Sequence, residues 1–332
     1  MNRYLRIALA MLAICLCFCF VGFAYNFNEI QPRIGNGEND SQAKPKRYHF
    51  VLIAQNLDDS FWKSVRAGAE SAGAKLNAAI EYNGAVISDE EEELRYFNIA
   101  IASHVDGIAV YVTDQSKFTP LIDKAVGEGI RVITIESDVK KSKRQAFVGP
   151  DSYKAGFSQG NLIVENAIGT TKVAIVIGGN YAGNADARAS LLAGFRQATT
   201  GKSSISLDTI QTVSSEYFGA ERIIRGILNE HPEVNMVVST DADDTLEIVQ
   251  VLIDLNKENN VRVVGYSNSQ QIRNYIMNGN LLGSVYENSS GTGYACIANL
   301  VDSINEKTIP SFVDTGVYTI TRINLVSYTS GG

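Results

Sequence analysis

A chain of 332 residues, 45% hydrophobic and 20% charged, has the make-up of a globular protein long enough for two domains, which excludes disorder as its main state. Its net charge of -7, with no cluster of Lys and Arg past the N-terminus, excludes the concentrated positive face that nucleic-acid binding needs.

Arg3 and Arg6 precede Ile7 to Phe23, an uncharged run that reads as an export signal with its positive end held in the cytoplasm. Residues 1–25 are therefore a signal peptide or a membrane anchor, and the chain beyond them is expected outside the cytoplasm. Gly22 and Ala24 form a small-x-small cleavage site. As a helix, however, the apolar run covers about 26 Å, close to a bilayer core, so retention as an anchor is preferred over cleavage. Cys15, Cys17 and Cys19 follow Ile14, Leu16 and Phe18 rather than a small residue, so they are read as apolar members of the segment and not as lipidation sites. Cys296 alone remains in the exported part. It shares a helical face with Ile297, Leu300, Val301 and Ile304, which predicts a buried thiol.

Residues 26–47 are polar and broken by Pro32, Gly35, Gly37 and Pro45, the pattern of a linker. From Tyr48 onward a short apolar run, a turn and an amphipathic helix recur. The runs are HFVLIA (49–54), GIAVYV (107–112), RVITI (131–135), KVAIVI (172–177), NMVVS (235–239) and VRVVGY (261–266). They are nearly continuous in Val and Ile rather than alternating, as strands buried on both faces of a parallel sheet should be. Between them lie helices such as 61–76, with Phe61, Val65, Ala69, Ala72 and Leu76 on one face. The fold class is α/β with parallel sheets, in two units of roughly 140 residues, because one core rarely grows past about 250–300. In such sheets ligands sit at the carboxyl ends of the strands.

Catalytic chemistry is poorly represented. His49 starts a strand, His104 closes a helix and His231 lies at a helix end, and no nucleophile and base are paired. The DADD run (241–244) resembles a metal cluster, but Asp at a helix start is commonly a cap, and nothing supplies the rest of an EF-hand loop. GGNYAGN (178–184) lacks both dinucleotide and P-loop spacing. No metal or cofactor is expected. What does recur is a polar or acidic residue just past each strand: Asp59, Asp114, Glu136 and Asp138, Asp241, Ser267 and Asn268, and Glu287. Carboxylates suit vicinal sugar hydroxyls and an aromatic face suits the ring, as Phe61 and Trp62 beside Asp59 would provide. Each Asp has a helix N-cap as its plain alternative.

In order along the chain, LDDSFWKSVRAGAESAGAKL, VDGIAVYVTD, EGIRVITIESD, FVGPDSYKAGFSQGNLI, LLAGFRQA, HPEVNMVVSTDADDTLEIV, VRVVGYSN and DTGVYTITRINLVSY resemble the type I periplasmic binding proteins of the ribose and galactose class, over about 48–332. The resemblance implies two Rossmann-like lobes joined by a three-segment hinge, with a ligand cleft between them. Lobe 1 would be 48–150 plus 288–316 and lobe 2 151–287 plus 317–332, with crossings near Pro150, Glu287 and Val317. It implies cleft positions for Asp59, Phe61, Trp62, Tyr111, Glu136, Asp241, Ser267 and Glu287, and a lobe 2 arginine represented by Arg188. The chain departs from the ribose pattern at Glu136-Ser137, where Asp-Arg is usual, at Ser267, where Asp is usual, and at Arg188, which lies seven rather than six residues before Phe195. Ribose is thus a poor fit, and the acidic excess leaves room for an amino sugar or other cationic ligand.

Three functions remain open: a sugar receptor serving an ABC permease, an anchored sugar or autoinducer sensor serving a histidine kinase or chemoreceptor, and an enzyme on the same scaffold. The repressor relatives of this fold are excluded, since their helix-turn-helix is replaced here by a membrane segment.

Overall fold

The computed structural model describes residues 48–86, 89–213 and 219–325. The expected export segment and linker lie outside them, and among the described residues no helix is long and apolar enough to cross a membrane.

The first half runs β1 (Tyr48–Ala54), α1 (Ser60–Leu76), β2 (Ala78–Gly84), α2 (Glu90–Ala102), β3 (Gly107–Val110), α3 (Gln115–Gly127), β4 (Arg131–Ile135) and β5 (Ala146–Gly149). The second runs α4 (Ser152–Asn166), β6 (Thr171–Ile177), α5 (Asn180–Gly183), α6 (Ala185–Thr199), β7 (Ile205–Thr212), α7 (Gly219–Glu230), β8 (Met236–Ser239), α8 (Ala242–Asp254), β9 (Arg262–Tyr266), α9 (Gln270–Asn278) and β10 (Gly283–Glu287). Helix α10 (Ser289–Ile304) and strands β11 (Phe312–Asp314) and β12 (Val317–Thr321) complete the chain's described elements.

All six apolar runs are strands. They form two sheets, β11-β5-β4-β3-β1-β2 and β12-β10-β9-β8-β6-β7, so the first five strands of each half repeat one order. Every pairing is parallel except that of β12 with β10. The central strands are buried on both faces, as their unbroken Val and Ile content requires. The sequence signal missed the edges. In β7 (ISLDTIQT) no residue is fully buried, and β2 (AAIEYNG) carries polar residues that interrupt any apolar run.

The chain passes between the sheets three times: from Gly149 to Ser152, from Glu287 to Ser289, and from Asp314 to Val317. Each passage exchanges a helix or strand between halves. Helix α10 comes after a second-sheet strand but packs Cys296, Ile297, Leu300 and Val301 into the core of Phe50, Leu52 and Ile133 on the first sheet. Helix α4 comes after a first-sheet strand but packs Ala155, Leu162 and Ile163 into the core beneath the second. Cys296 is buried there, with its thiol pushed well up by desolvation.

Glycine sets both helix pairs. A Cβ on Gly68 of α1 would lie 1.8 Å from Ser290 O, and one on Gly293 of α10 would lie 1.9 Å from Val65 O. In the other half, Gly156 of α4 approaches Leu191 O and Gly194 of α6 approaches Tyr153 O, at 1.9 and 2.0 Å on the same measure. Backbones this close admit no side chain.

Candidate functional site

The carboxyl ends of both sheets open on one cavity of about 1160 Å³. Its first wall is built where β1 hands over to α1. Asp59 caps that helix, its Oδ1 accepting from the N–H groups of Phe61 at 2.8 Å and Trp62 at 3.2 Å. The cap fixes the direction in which both rings leave the helix. Phe61 is half-buried, and its ring meets Trp62 edge-on at 5.4 Å. Trp62 in turn meets Tyr111, just past β3, at 5.6 Å.

Trp62 offers less of its face than the role of covering a sugar ring implies. It lines the cavity, yet only 3% of it is accessible, and it belongs to the same core as Val65, Ala69 and Ala72. With residues 62, 65, 69 and 72 buried, the inner face of α1 is turned toward Trp62, which leaves Phe61 as the more accessible ring.

The opposite wall begins at β8. Asp241 caps α8, its Oδ1 accepting from Asp243 N at 2.9 Å and Asp244 N at 3.1 Å. Burial pushes the Asp241 carboxyl up to about 6. Asp244 is pushed up to about 8, by burial first and then by the charges of Asp241, Glu247 and Asp243. Asp243 is raised too, by burial and by Asp59 across the cavity. The DADD run is thus a helix cap followed by two cavity carboxylates.

Glu136 and Ser267 close the base from equivalent places in the two sheets. Each lies just past a strand, β4 or β9, and each has left-handed backbone, with φ of 62° and 97°. Each N–H also reaches the next strand, Glu136 N to Val148 O at 3.0 Å and Ser267 N to Val285 O at 2.8 Å. Such backbone costs on the order of 1–3 kcal/mol in a non-glycine residue and persists where surrounding structure enforces it. Glu136, 5% accessible, is paired with Glu287 at the second chain passage. Burial first, and then the Glu287 charge, hold the Glu136 carboxyl well above its usual range, and burial raises Glu287 as well. The Tyr266 hydroxyl donates to Glu287 Oε1.

Eight of the nine residues expected from sequence line this cavity: Asp59, Phe61, Trp62 and Tyr111, with Glu136, Asp241, Ser267 and Glu287. Arg188 is the exception. Its Nη1 donates to Ala182 O at 3.1 Å, and it is not a cavity-lining residue. One residue of extra spacing on a helix turns a side chain by about 100°, which is enough to remove it from the wall. Asp114 and Asp138 come after strands without lining the cavity either: Asp114 caps α3, and Asp138 pairs with Arg144. His231 Nδ1 lies 2.7 Å from Asp208 Oδ2, away from the cavity lining. Sequence reasoning missed Tyr181, Tyr266 and Asp244. The first two meet edge-on at 6.4 Å, and both stood in view: a tyrosine in the glycine-rich loop after β6 and another at the end of VVGY.

A model of the periplasmic binding protein domain matches residues 50–308. The chain belongs to the periplasmic binding protein family. It is 25% identical over 247 residues to the D-ribose/D-allose-binding protein of Pseudomonas aeruginosa, spanning 72% of this chain and 76% of that relative. It is 20% identical over 262 residues to the D-allose-binding periplasmic protein of Escherichia coli, spanning 76% and 84%. Among solved structures, GanP, a glucose-galactose binding protein from Geobacillus stearothermophilus, superposes with a TM-score of 0.78 at 28% identity, covering 84% of this chain and 98% of GanP. The XylFII-LytSN complex matches with a TM-score of 0.73 at 28% identity, covering 83% and 98%.

Proposed function

We propose that this protein is an extracytoplasmic sugar receptor that closes its two lobes on the ligand and delivers it to an ABC importer. The observation that carries the reading is the cavity between the two sheets, where an aromatic wall from β1 and β3 faces carboxylates from β8 and β10. Apolar rings cover the C–H face of a pyranose or furanose while carboxylates accept from its hydroxyls. The relatives named for ribose, allose, glucose and galactose support the same ligand class. A volume of about 1160 Å³ exceeds the usual small-ligand pocket of about 300–1,000 Å³, which leaves room for closure about the three chain passages. The lobes would be 48–150 plus 288–316 and 151–287 plus 317–332, tethered through residues 1–25 and 26–47. Carboxylates, hydroxyls and rings in the lining support binding as the role of the site.

A second reading is that the loaded receptor signals by docking on another membrane protein, such as a histidine kinase or chemoreceptor. The XylFII-LytSN complex favours it, because there a protein 28% identical to this one engages a second protein.

A thermal-shift screen of the full-length chain against pentoses and hexoses tests the shared part of both readings. A sugar at 100 times its Kd should stabilise the protein by about 2.7 kcal/mol. A melting temperature that no sugar moves would remove the sugar-receptor reading. With a ligand in hand, stimulation of a reconstituted permease's ATPase by the loaded receptor separates transport from signalling.

A further inference from the structure

The charge of the cavity wall is one-sided. Six carboxyl side chains line it, Asp59, Glu136, Asp241, Asp243, Asp244 and Glu287, and among the described lining residues there is no Lys, Arg or His. Arg188, the cation expected to face the ligand, is engaged at Ala182 O instead. The acids also face one another across the opening: Asp59 stands on the first-sheet side, and its charge is felt by Asp241 and Asp243 on the second. A neutral ligand that drew the walls together would bring like charges closer without compensating them.

Asp244 makes the requirement local. It is 9% accessible, it lines the cavity, and its Oδ2 is buried without a hydrogen-bond partner. That oxygen lies against Gly178, where a Cβ would come within 1.7 Å of it, so the loop after β6 is kept bare at the point where the carboxylate lodges. Its neighbour Asp241 spends Oδ1 on the α8 cap and lies close to Gly179. A buried carboxylate oxygen with no donor is costly, and either a proton or a cationic donor relieves it.

Resting on the sugar-receptor reading, we propose that the ligand is an amino sugar, its ring against Phe61 and its ammonium group held between Asp244 and Asp241 on one wall and Asp59 on the other. An ammonium brings three donors and a charge to a place that offers only acceptors. A bare divalent ion would use the carboxylates and leave the aromatic wall uncovered. A neutral hexose would cover the rings and leave the charge.

Isothermal titration of the full-length chain with D-glucosamine, D-galactosamine and D-mannosamine, each beside its parent hexose and its N-acetyl form, decides this. At pH 7 and low salt, at least one amino sugar should bind more than tenfold tighter than both neutral counterparts. That margin should shrink in 0.5 M NaCl and fall severalfold in Asp244→Asn. Asp241→Asn is the second variant, because Asn caps a helix as well as Asp does. A parent hexose binding as tightly as its amino form overturns the charge assignment and leaves the sugar receptor standing. If putrescine or calcium binds while no sugar of either kind does, both readings fall. An undiminished preference in both Asn variants overturns the placement of the ammonium group.

Discussion

Helices α1 and α8 begin alike and present opposite chemistry. Each is capped by an Asp whose Oδ1 takes the N–H groups two and three residues on: Phe61 and Trp62 in one helix, Asp243 and Asp244 in the other. The positions that carry two aromatic rings on one wall thus carry two carboxylates on the facing wall. The cap fixes where the first turn points, and the residues at its second and third positions decide what the cleft sees. A cap and a binding residue are therefore not competing interpretations of an Asp past a strand. Asp59 and Asp241 are both.

The largest break in this comparison should come from Trp62→Ala. Since the ring is almost wholly buried, truncation should cost about 3–5 kcal/mol of stability, read as a lower midpoint in urea. A midpoint unchanged from the parent would show that the ring belongs to the cleft and not to the core. Next in size are Gly293→Ala and Gly194→Ala, one in each half. Each forces a Cβ onto a carbonyl at 2.0 Å or less and should cost up to about 3 kcal/mol. Similar losses in the two variants would show that the halves are packed by one rule, and a loss confined to one half would break the symmetry.

A third effect has the opposite sign. Burial, and then the charges of Asp241, Glu247 and Asp243, push the Asp244 carboxyl up to about 8 in the folded protein, against about 3.9 in an unfolded chain. The folded state therefore holds the extra proton between these values, and stability should decline as pH rises from about 4 through 8. Asp244→Asn should lessen that decline, leaving stability near parent values at pH 4 and raising it at pH 8. Urea midpoints at the two pH values check this, and a parent whose stability rises across the range would contradict it.

Much of this fold was legible because burial on both faces leaves a plain mark. Strands such as KVAIVI carry no polar alternation, so they read as central and parallel at once. Edge strands such as ISLDTIQT lack that mark, because only packing that the sequence does not display decides that they are strands. The site was legible where it coincides with a strand end, as at Glu136, Ser267 and Glu287. It was not legible where a residue's role depends on the helical turn it falls on. Trp62 and Phe61 are adjacent, but only one faces the core, and Arg188 is turned from the cavity by a single residue of spacing. Tyr181 and Tyr266 were missed because an aromatic beside a strand carries no sign of which wall it will join.

The crossing of α10 back onto the first sheet also sets an order of assembly. The apolar face made by Phe50, Leu52 and Ile133 stays uncovered until Cys296, Ile297, Leu300 and Val301 have emerged, close to the end of the chain. The second sheet has its covering helix α4 in hand before its first strand is made, and its five parallel strands are complete by Glu287. In a chain emerging from its N-terminus, the five parallel strands of the later half can pair before the core of the earlier half is covered, and β12, the sixth strand of that sheet, comes last of all. The earlier half must wait with its core open, as the stretch most in need of protection from aggregation.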